Sequence, residues 1–382
     1  MKVVHVVGAR PNYMKVAPLM REMAKRPDRW EQILIHTGQH YDHQMSRVFF
    51  EDLGLPDPDV YLGVGSGSHA QQYARVMQAF EPVLERVRPD WVLVVGDVNS
   101  TLACALCSAQ MGIRVAHVEA GLRSCDRSMP EEINRTLTDH LSELLFITEP
   151  SGNTNLQREG ISARRIRFVG NVMIDTLVHM LPRARDRKIL RDLGLVAQSD
   201  DMAGLEIGKQ EPRYVLVTLH RPSNVDSVSV LKEILSAIEV LSHDLPVIFP
   251  VHPRTRKQIE EIHHELKSRQ LRLLEPLGYL DFLALMCRAA LVITDSGGIQ
   301  EETTYLDIPC LTVRPNTERP ITLEMGNNRL VRGDRGAILE ATHAALNGSP
   351  FSAKRRPALW DGRAAERIVS ELEKTALVAT AG

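Results

Sequence analysis

The chain has 382 residues, of which 43% are hydrophobic, 25% charged and 5% aromatic. This length suits two domains of about 150–200 residues each, and the composition excludes disordered, collagen-like and low-complexity proteins. Lys and Arg total 46 against 48 Asp and Glu, a formal charge of −2, so the chain lacks the basic surface of a nucleic-acid-binding protein.

The sequence also argues against a membrane protein and against a protein stabilised by disulfide bonds. No apolar run approaches the roughly 18 residues of a membrane span, and the apolar stretch after Met1 is too short and interrupted for a signal peptide. We therefore expect a cytoplasmic protein, with which the odd number of five cysteines agrees. Cys104 and Cys107 form a C-x-x-C pair, but their Ala/Leu-rich surroundings predict a buried helix with two small core residues and no metal site.

Short β-branched runs alternate with helical segments, the pattern of parallel sheets covered by helices. In the first half we predict strands at residues 2–7, 32–36, 91–95, 114–118, 144–147 and 166–169. Helices are predicted there at 13–25, 43–53, 70–88, 101–111 and 131–142. A charge-rich helical segment at 183–193 and a loop at 196–212 precede further strands at 214–219, 247–251, 271–274, 291–294 and 310–313.

These elements predict an α/β protein of two doubly wound, Rossmann-like domains that face a central cleft. The expected domains are residues 1–185 and 186–362, followed by a terminal helix at 363–382. Ligands of such sheets bind beyond the carboxyl ends of the strands, and the candidate site residues are sought there.

In the first domain, Arg10 and Lys15 follow the first strand in an early helical turn. Cations there oppose the helix dipole unless an anion is bound, so they are candidate anion contacts. Asp97 and Glu119 end two later strands, a placement that suits acid/base catalysis. No G-x-G-x-x-G follows the first strand, which argues against a dinucleotide-binding dehydrogenase.

Glu131 has two interpretations. Together with Ser128 it fits a capping box, in which Glu131 would only cap the next helix. It could equally be a third catalytic carboxylate. The residues alone leave both interpretations open.

In the second domain, two strands end in a histidine with arginines nearby: His220 with Arg221, and His252. A further strand runs into Ser296-Gly297-Gly298 and then a helix, which offers backbone N–H groups to phosphate oxygens. Either Glu301 or Glu302 could accept a hydrogen bond from a ribose hydroxyl, and Arg314 and Arg319 could add positive charge. This pattern indicates a nucleoside diphosphate on the second domain.

Ten segments between Gly8 and Pro320 together resemble the non-hydrolysing UDP-N-acetylglucosamine 2-epimerases. They read GARPNYMKVAPL, TGQHYD, VLVVGDVNSTLA, HVEAGLRS, MPEEINR, VTLHR, PVHPRTR, EPLGYL, TDSGGIQEE and NTERP. The resemblance implies a fold like that of GT-B glycosyltransferases, with the terminal helix returning to the first domain, and a homodimer. It also implies interconversion of UDP-GlcNAc and UDP-ManNAc through loss of UDP to 2-acetamidoglucal and its re-addition, without a cofactor.

The resemblance assigns roles to particular residues. It implies that the catalytic residues are Asp97, Glu119, Glu131 and His220. The nucleotide contacts would include Arg10, Ser296, Gly297, Gly298 and Glu302, with Lys15 nearby. The resemblance also implies that Gln39 and His40 fall in the region that forms part of a regulatory UDP-GlcNAc site in many bacterial members of the family.

Alternatives of other classes remain. Related enzymes act on UDP-2,3-diacetamido-2,3-dideoxyglucuronate, and the shared motifs do not choose between the sugars. A UDP-sugar glycosyltransferase would have a similar fold and nucleotide site. A non-catalytic UDP-sugar sensor is disfavoured, because clustered carboxylates would repel a bound diphosphate without benefit.

Overall fold

The computed structural model describes residues 1–38, 50–196, 213–262, 268–348 and 356–380, without the side chains of Arg10 and residues 376–380. The chain divides into two compact units, one comprising Met1–His179 with Ala358–Gly382 and the other Met180–Pro357. The division falls a few residues before the position expected from the sequence, and residues 358–362 group with the first unit. The predicted helix at 43–53 and loop at 196–212 lie mostly outside the described residues.

The first unit contains a seven-stranded parallel sheet. Its strands are β1 (Lys2–Val7), β2 (Glu31–His36), β3 (Val60–Tyr61), β4 (Trp91–Val95), β5 (Arg114–Ala120), β6 (Leu144–Ile147) and β7 (Ile166–Phe168). They lie in the order β3-β2-β1-β4-β5-β6-β7. The order reverses between β1 and β4, the position at which doubly wound sheets bind ligands.

The second unit contains a six-stranded parallel sheet. Its strands are β8 (Val215–Thr218), β9 (Val247–Pro250), β10 (Leu271–Leu274), β11 (Leu291–Thr294), β12 (Cys310–Val313) and β13 (Asn328–Val331). They lie in the order β10-β9-β8-β11-β12-β13, which reverses between β8 and β11.

The helices of the described residues are numbered in chain order. They are α1 (Arg10–Ala24), α2 (His69–Val87), α3 (Asn99–Gln110), α4 (Pro130–Leu141), α5 (Pro150–Arg158), α6 (Val172–Arg185), α7 (Ile189–Asp192), α8 (Pro222–Val225), α9 (Val228–Leu241), α10 (Pro253–Glu261), α11 (Tyr279–Met286), α12 (Gly297–Leu306), α13 (Ile321–Glu324), α14 (Arg335–Leu346) and α15 (Ala364–Thr380). No described helix is long and apolar enough to cross a membrane.

Local sequence explains where these elements begin and what they bury. Helix α2 starts at a capping box, in which Ser68 and Gln71 exchange hydrogen bonds of 3.1 and 3.3 Å. Every residue of β4 is buried, as expected for a strand covered on both faces. Cys104 and Cys107 are free thiols in the apolar core around α3, which confirms the interpretation of that pair as core residues.

Hydrogen bonds near its start anchor the C-terminal helix to the rest of the first unit. Buried Asp175 accepts hydrogen bonds from the backbone N–H groups of Ala364 (3.0 Å) and Ala365 (2.7 Å). The indole of Trp360 donates to the carbonyl oxygen of Thr148 at 3.0 Å. Carboxylates at a helix start satisfy N–H groups that have no partner within the helix, so Asp175 fixes the point at which α15 begins.

Candidate active site

Asp97 and Glu119 lie at the carboxyl ends of two adjacent strands of the first unit: Asp97 comes two residues after β4, and Glu119 is the next-to-last residue of β5. Strands β4 and β5 are in register up to Val95 and Val118, and the N–H of Gly96 donates to the carbonyl of Val118 at 3.1 Å. This bond joins the residues that directly precede the two carboxylates. The sequence-based placement of Asp97 and Glu119 at neighbouring strand ends is therefore correct.

The backbone at Glu119 is strained. Its φ is +73°, a backbone conformation that residues other than glycine rarely adopt. In addition, the pairing of β5 with β6 shifts register between Val118 and Ala120. Such strain and such bulges cluster at functional sites. The bulge redirects the Glu119 carboxylate, which forms an ion pair with the ammonium group of Lys15 from α1.

The Lys15–Glu119 pair is deeply buried, with side chains 6% and 3% exposed. Lys15 is thus already paired with an anion of the protein, which the sequence did not predict. Gly96 makes room for it, because a Cβ at this position would lie 2.8 Å from the Lys15 ammonium nitrogen.

Asp97 is held by Arg135 of α4. A guanidinium nitrogen of Arg135 lies 2.6 Å from the Asp97 carboxylate, and a second lies 2.7 Å from Glu132. Asn134 donates to the Asp97 carbonyl at 2.8 Å. Residues 134 and 135 of one helix therefore position both the backbone and the carboxylate of Asp97, which stays 27% exposed.

The capping-box interpretation of Glu131 is wrong. Helix α4 has Met129 as its N-cap residue, with no side-chain capping bond, and the Ser128 hydroxyl donates to Asp126 instead. The neighbouring Glu132 has the structural role: it is buried and accepts three hydrogen bonds of 2.8–3.0 Å from Ser124 and Cys125. Glu131 itself is partly exposed in the first turn of the helix.

A buried His117–Asp139 pair lies beneath these strand ends. The His117 Nδ1 is 2.7 Å from the Asp139 carboxylate, whose other oxygen is 2.8 Å from Arg123. Burial alone would raise the pKa of Asp139, but His117 and Arg123 outweigh burial and hold it below its usual value. The pair was not predicted from the sequence, although a histidine within an otherwise apolar strand was a visible signal.

The turn before Arg10 is fixed by Asn12. The Asn12 carboxamide accepts from the N–H groups of Gly8 (3.1 Å) and Ala9 (3.0 Å) and donates to the carbonyl of Val95 (3.0 Å). The turns after β1 and β4 are thereby tied together. Arg10 begins α1, and its side chain lies outside the described residues.

In the second unit, Asp295 organises the turn that carries His220. Its buried carboxylate accepts from the N–H groups of His220 and Arg221 at 3.0–3.1 Å and lies 3.0 Å from the His220 Nδ1. Burial opposes ionisation of Asp295, but the hydrogen bond and charge of His220 lower its pKa overall. The His220 ring is 47% exposed, so it is available to a ligand. Asp295 stood in a recognised motif, but its partners could not be read from the chain.

The Ser296-Gly297-Gly298 turn opens α12 as predicted. Ser296 is the N-cap residue, and its hydroxyl makes no capping bond, while the first N–H groups of a helix have no intrahelical partner. Arg319 is engaged by two carboxylates, Glu301 at 2.9 Å and Glu318. A Cβ on Gly297 would lie 2.5 Å from the Arg319 guanidinium group, so a larger residue at this position would require the Arg319 side chain to move.

Two other predicted contacts have local partners. Glu302 is buried and accepts from the Tyr279 hydroxyl at 2.8 Å, and burial raises its pKa to about 7. His252 is the N-cap residue of α10, where its Nδ1 accepts from the N–H of Arg254 at 3.3 Å. Gln39 and His40 lie outside the described residues.

Comparison with known proteins places the chain in a family. The family model for UDP-N-acetylglucosamine 2-epimerase matches residues 21–373. The chain belongs to this family. The UDP-N-acetylglucosamine 2-epimerase of Methanocaldococcus jannaschii is 42% identical over 380 residues, covering 97% of this chain and 98% of that protein.

Two further relatives bear on the family's chemistry. A crystal structure of the M. jannaschii UDP-GlcNAc 2-epimerase in complex with UDP-GlcNAc and UDP matches with a TM-score of 0.84 and 39% identity, covering 98% of this chain and all of that one. The UDP-2,3-diacetamido-2,3-dideoxy-D-glucuronate 2-epimerase of Pseudomonas aeruginosa is 38% identical over 349 residues, covering 91% and 92% of the two chains. The expected epimerase resemblance and the GT-B-like α/β class are thus confirmed.

Proposed function

We propose that the protein inverts C2 of a UDP-N-acetylhexosamine, interconverting UDP-GlcNAc and UDP-ManNAc. The observation that carries this proposal is the pair of carboxylates, Asp97 and Glu119, on adjacent strand ends of a chain in the 2-epimerase family. The sugar C2–H has no adjacent carbonyl, so direct removal of its proton would give an unstabilised carbanion. Elimination of the C1 diphosphate avoids that species.

In the proposed reaction, a carboxylate of the first unit removes the C2 proton while the C1–O bond breaks. The electron pair of the C2–H bond forms the C1–C2 double bond of 2-acetamidoglucal, and the C1–O pair leaves with UDP. Protonation of C2 on the other face and re-addition of UDP complete the inversion. Asp97, Glu119 and Glu131 are the proposed acid/base groups, and such transfers contribute roughly 10²–10⁴ in rate.

The second unit supplies the nucleotide contacts of this proposal. Ser296, Gly297 and Gly298 would direct N–H groups of the α12 start toward the diphosphate, where anions are favoured. Glu302 would bind the ribose, and His220, oriented by Asp295, would stabilise the departing phosphate. Other proposed contacts to the bound nucleotide sugar are Arg10, Lys15, Arg221, His252 and Arg319, and Gln39 and His40 are proposed for a regulatory site.

Proton NMR tests the reaction. The purified protein is incubated with UDP-GlcNAc in heavy water without added nicotinamide. We expect UDP-ManNAc to form and deuterium to enter C2. Retention of the original C2 hydrogen in the product would rule out the elimination route, and absence of any product would reject the substrate.

The second candidate substrate is UDP-2,3-diacetamido-2,3-dideoxyglucuronate, which is favoured by the 38% identity to the P. aeruginosa enzyme. A parallel incubation with this sugar decides between the two. Transfer of the sugar to an acceptor, with the three carboxylates dispensable, would instead indicate a glycosyltransferase.

We also propose a cytoplasmic homodimer. The five cysteines are free thiols, in keeping with a reducing compartment. Helix α4 exposes Ile133 (43%) and Leu137 (47%), which lie one turn apart on one face, and exposed apolar patches mark interaction surfaces. Leu137→Glu should shift the protein to monomers in sedimentation experiments, whereas a dimer retained at the same concentration would place the interface elsewhere.

A further inference from the structure

The buried histidine of β5 is bonded at both ring nitrogens, and each bond leads to the backbone beside a carboxylate. His117 Nε2 lies 2.8 Å from the carbonyl oxygen of Gly96, the residue before Asp97. Its Nδ1 lies 2.7 Å from Asp139, whose other oxygen accepts from the N–H of Gly121 at 3.1 Å. Gly121 comes two residues after Glu119. The ring therefore connects the turn of Asp97 with the turn of Glu119.

We infer that His117 and Asp139 are positioning residues that hold Asp97 and Glu119 in their working geometry. This inference rests on the proposed epimerase function. Neither residue reaches a substrate, because both side chains are completely buried.

The strain at Glu119 explains why such an anchor is needed. A φ of +73° at a glutamate is energetically unfavourable and persists only where surrounding contacts impose it. On one side the carbonyl of Val118 is held by Gly96, and on the other the N–H of Gly121 is held by Asp139. Removal of Asp139 would free one side of the strained residue.

Hydrogen-bond chemistry shows that the connection is specific. A carbonyl oxygen only accepts, so the His117 Nε2 donates to Gly96. The Nδ1 faces a carboxylate that is also bound by Arg123 at 2.8 Å, and Arg123 is in turn paired with Glu159 at 2.7 Å. An apolar residue of similar size could fill the space of His117, but it could not join Gly96 to Asp139.

The experiment compares buried histidines of the same sheet. His117→Phe removes both bonds. His5→Phe is the matched control, because His5 is equally buried in β1 but, among the described residues, its side chain bonds only to Gln32. We expect both variants to lower the melting temperature, whereas only His117→Phe should lower kcat, by about 10²-fold, as expected for a misplaced catalytic group. His117→Gln retains a donor amide and should recover part of kcat. In all of these variants the Kd of UDP should stay within about twofold of wild type, because the proposed UDP contacts are mainly in the other unit.

The same comparison applies to the carboxylate. Asp139→Asn should lower kcat. Asp175→Asn is the control, because the Asp175 carboxylate also has a structural role, binding the start of α15, and its loss should lower stability only.

Equal kcat values for His117→Phe and His5→Phe would overturn the inference. If the wild-type protein epimerises neither UDP-sugar, the proposed function fails, and crystal structures then decide the positioning role separately. An unchanged φ at Glu119 and unchanged Gly96 and Gly121 positions in His117→Phe would refute it without any turnover measurement.

Discussion

Lys15 and Glu119 form an ion pair in which both side chains are almost fully removed from solvent. The pair joins the first helix to the strained end of β5. Isolated charges are costly in such surroundings, so each charge compensates the burial of the other. The contact also holds the Glu119 carboxylate in place at the strained end of the strand.

Lys15→Met tests this relationship. The variant leaves Glu119 buried without its counter-charge, which should cost about 3–5 kcal/mol of unfolding free energy, and should lower kcat on the order of 10²-fold or more. The double variant Lys15→Met/Glu119→Gln removes both charges, so it should recover stability but not activity. Urea unfolding and NMR turnover measure the two effects. An unfolding free energy equal to that of wild type in the single variant would contradict the buried-pair interpretation.

Adjacent glutamates at the start of α4 should behave in opposite ways. Glu131→Gln removes a partly exposed titratable group, and we expect kcat to fall by about 10²–10⁴ with little change in melting temperature. Glu132→Gln weakens the ion pair to Arg135 and the bonds to Ser124 and Cys125, so its main effect should be lower stability. Near-native turnover of Glu131→Gln would remove Glu131 from the catalytic group and leave Asp97 and Glu119.

The bounds of six strands could be predicted from the sequence, because continuous apolar runs stop where these strands stop, whereas β5 extends to Ala120, two residues beyond its predicted end. Strands β1, β4, β6, β10, β11 and β12 lie where the runs placed them. The edge strands β3 and β13 were missed, since β3 has only two residues and β13 reads Asn-Arg-Leu-Val, without a continuous apolar run. The predicted helix at 183–193 is instead the end of α6 followed by the separate short α7.

The partners of the catalytic residues could not be predicted in the same way. Arg135 and Asp139 lie one turn apart on α4 and bond to residues that precede them by 38 and 22 positions. Such pairings depend on how the helix packs on the sheet, which local propensity does not determine. The capping box at Glu131 failed for a related reason, since Ser128 found a nearer acceptor in Asp126.

Glu302 should make stability depend on pH. Burial raises its pKa from 4.5 to about 7, against a smaller lowering by the Tyr279 hydrogen bond. The folded state therefore binds the proton more tightly than the unfolded state. Its contribution to stability is fully present below pH 4.5 and is lost as the pH rises toward 7, a loss on the order of 3 kcal/mol.

Glu302→Gln removes this titration. The difference in unfolding free energy between variant and wild type should thus grow in favour of the variant from pH 4.5 to 7 and be constant above that. Tyr279→Phe removes the hydrogen bond that lowers the pKa of Glu302. In this variant, which retains Glu302, the unfolding free energy should therefore continue to fall to a higher pH than in wild type. Parallel stability curves for wild type and Glu302→Gln across this range would contradict the assignment.

Substitutions at the two consecutive glycines that start α12, Gly297 and Gly298, should have different effects, one on packing and the other on ligand binding. Gly297→Ala would place a Cβ 2.5 Å from Arg319 and 2.9 Å from Glu318, so it should displace the buried ion pair and destabilise the second unit by about 1–3 kcal/mol. Gly298→Val should instead block close approach of a phosphate to the helix start and weaken UDP binding while the fold survives. Calorimetric titration with UDP and thermal unfolding, applied to both variants, distinguish the effects. Unchanged UDP affinity in a folded Gly298→Val protein would remove the diphosphate from this turn, whereas a fully stable Gly297→Ala protein would show that Arg319 can shift without cost.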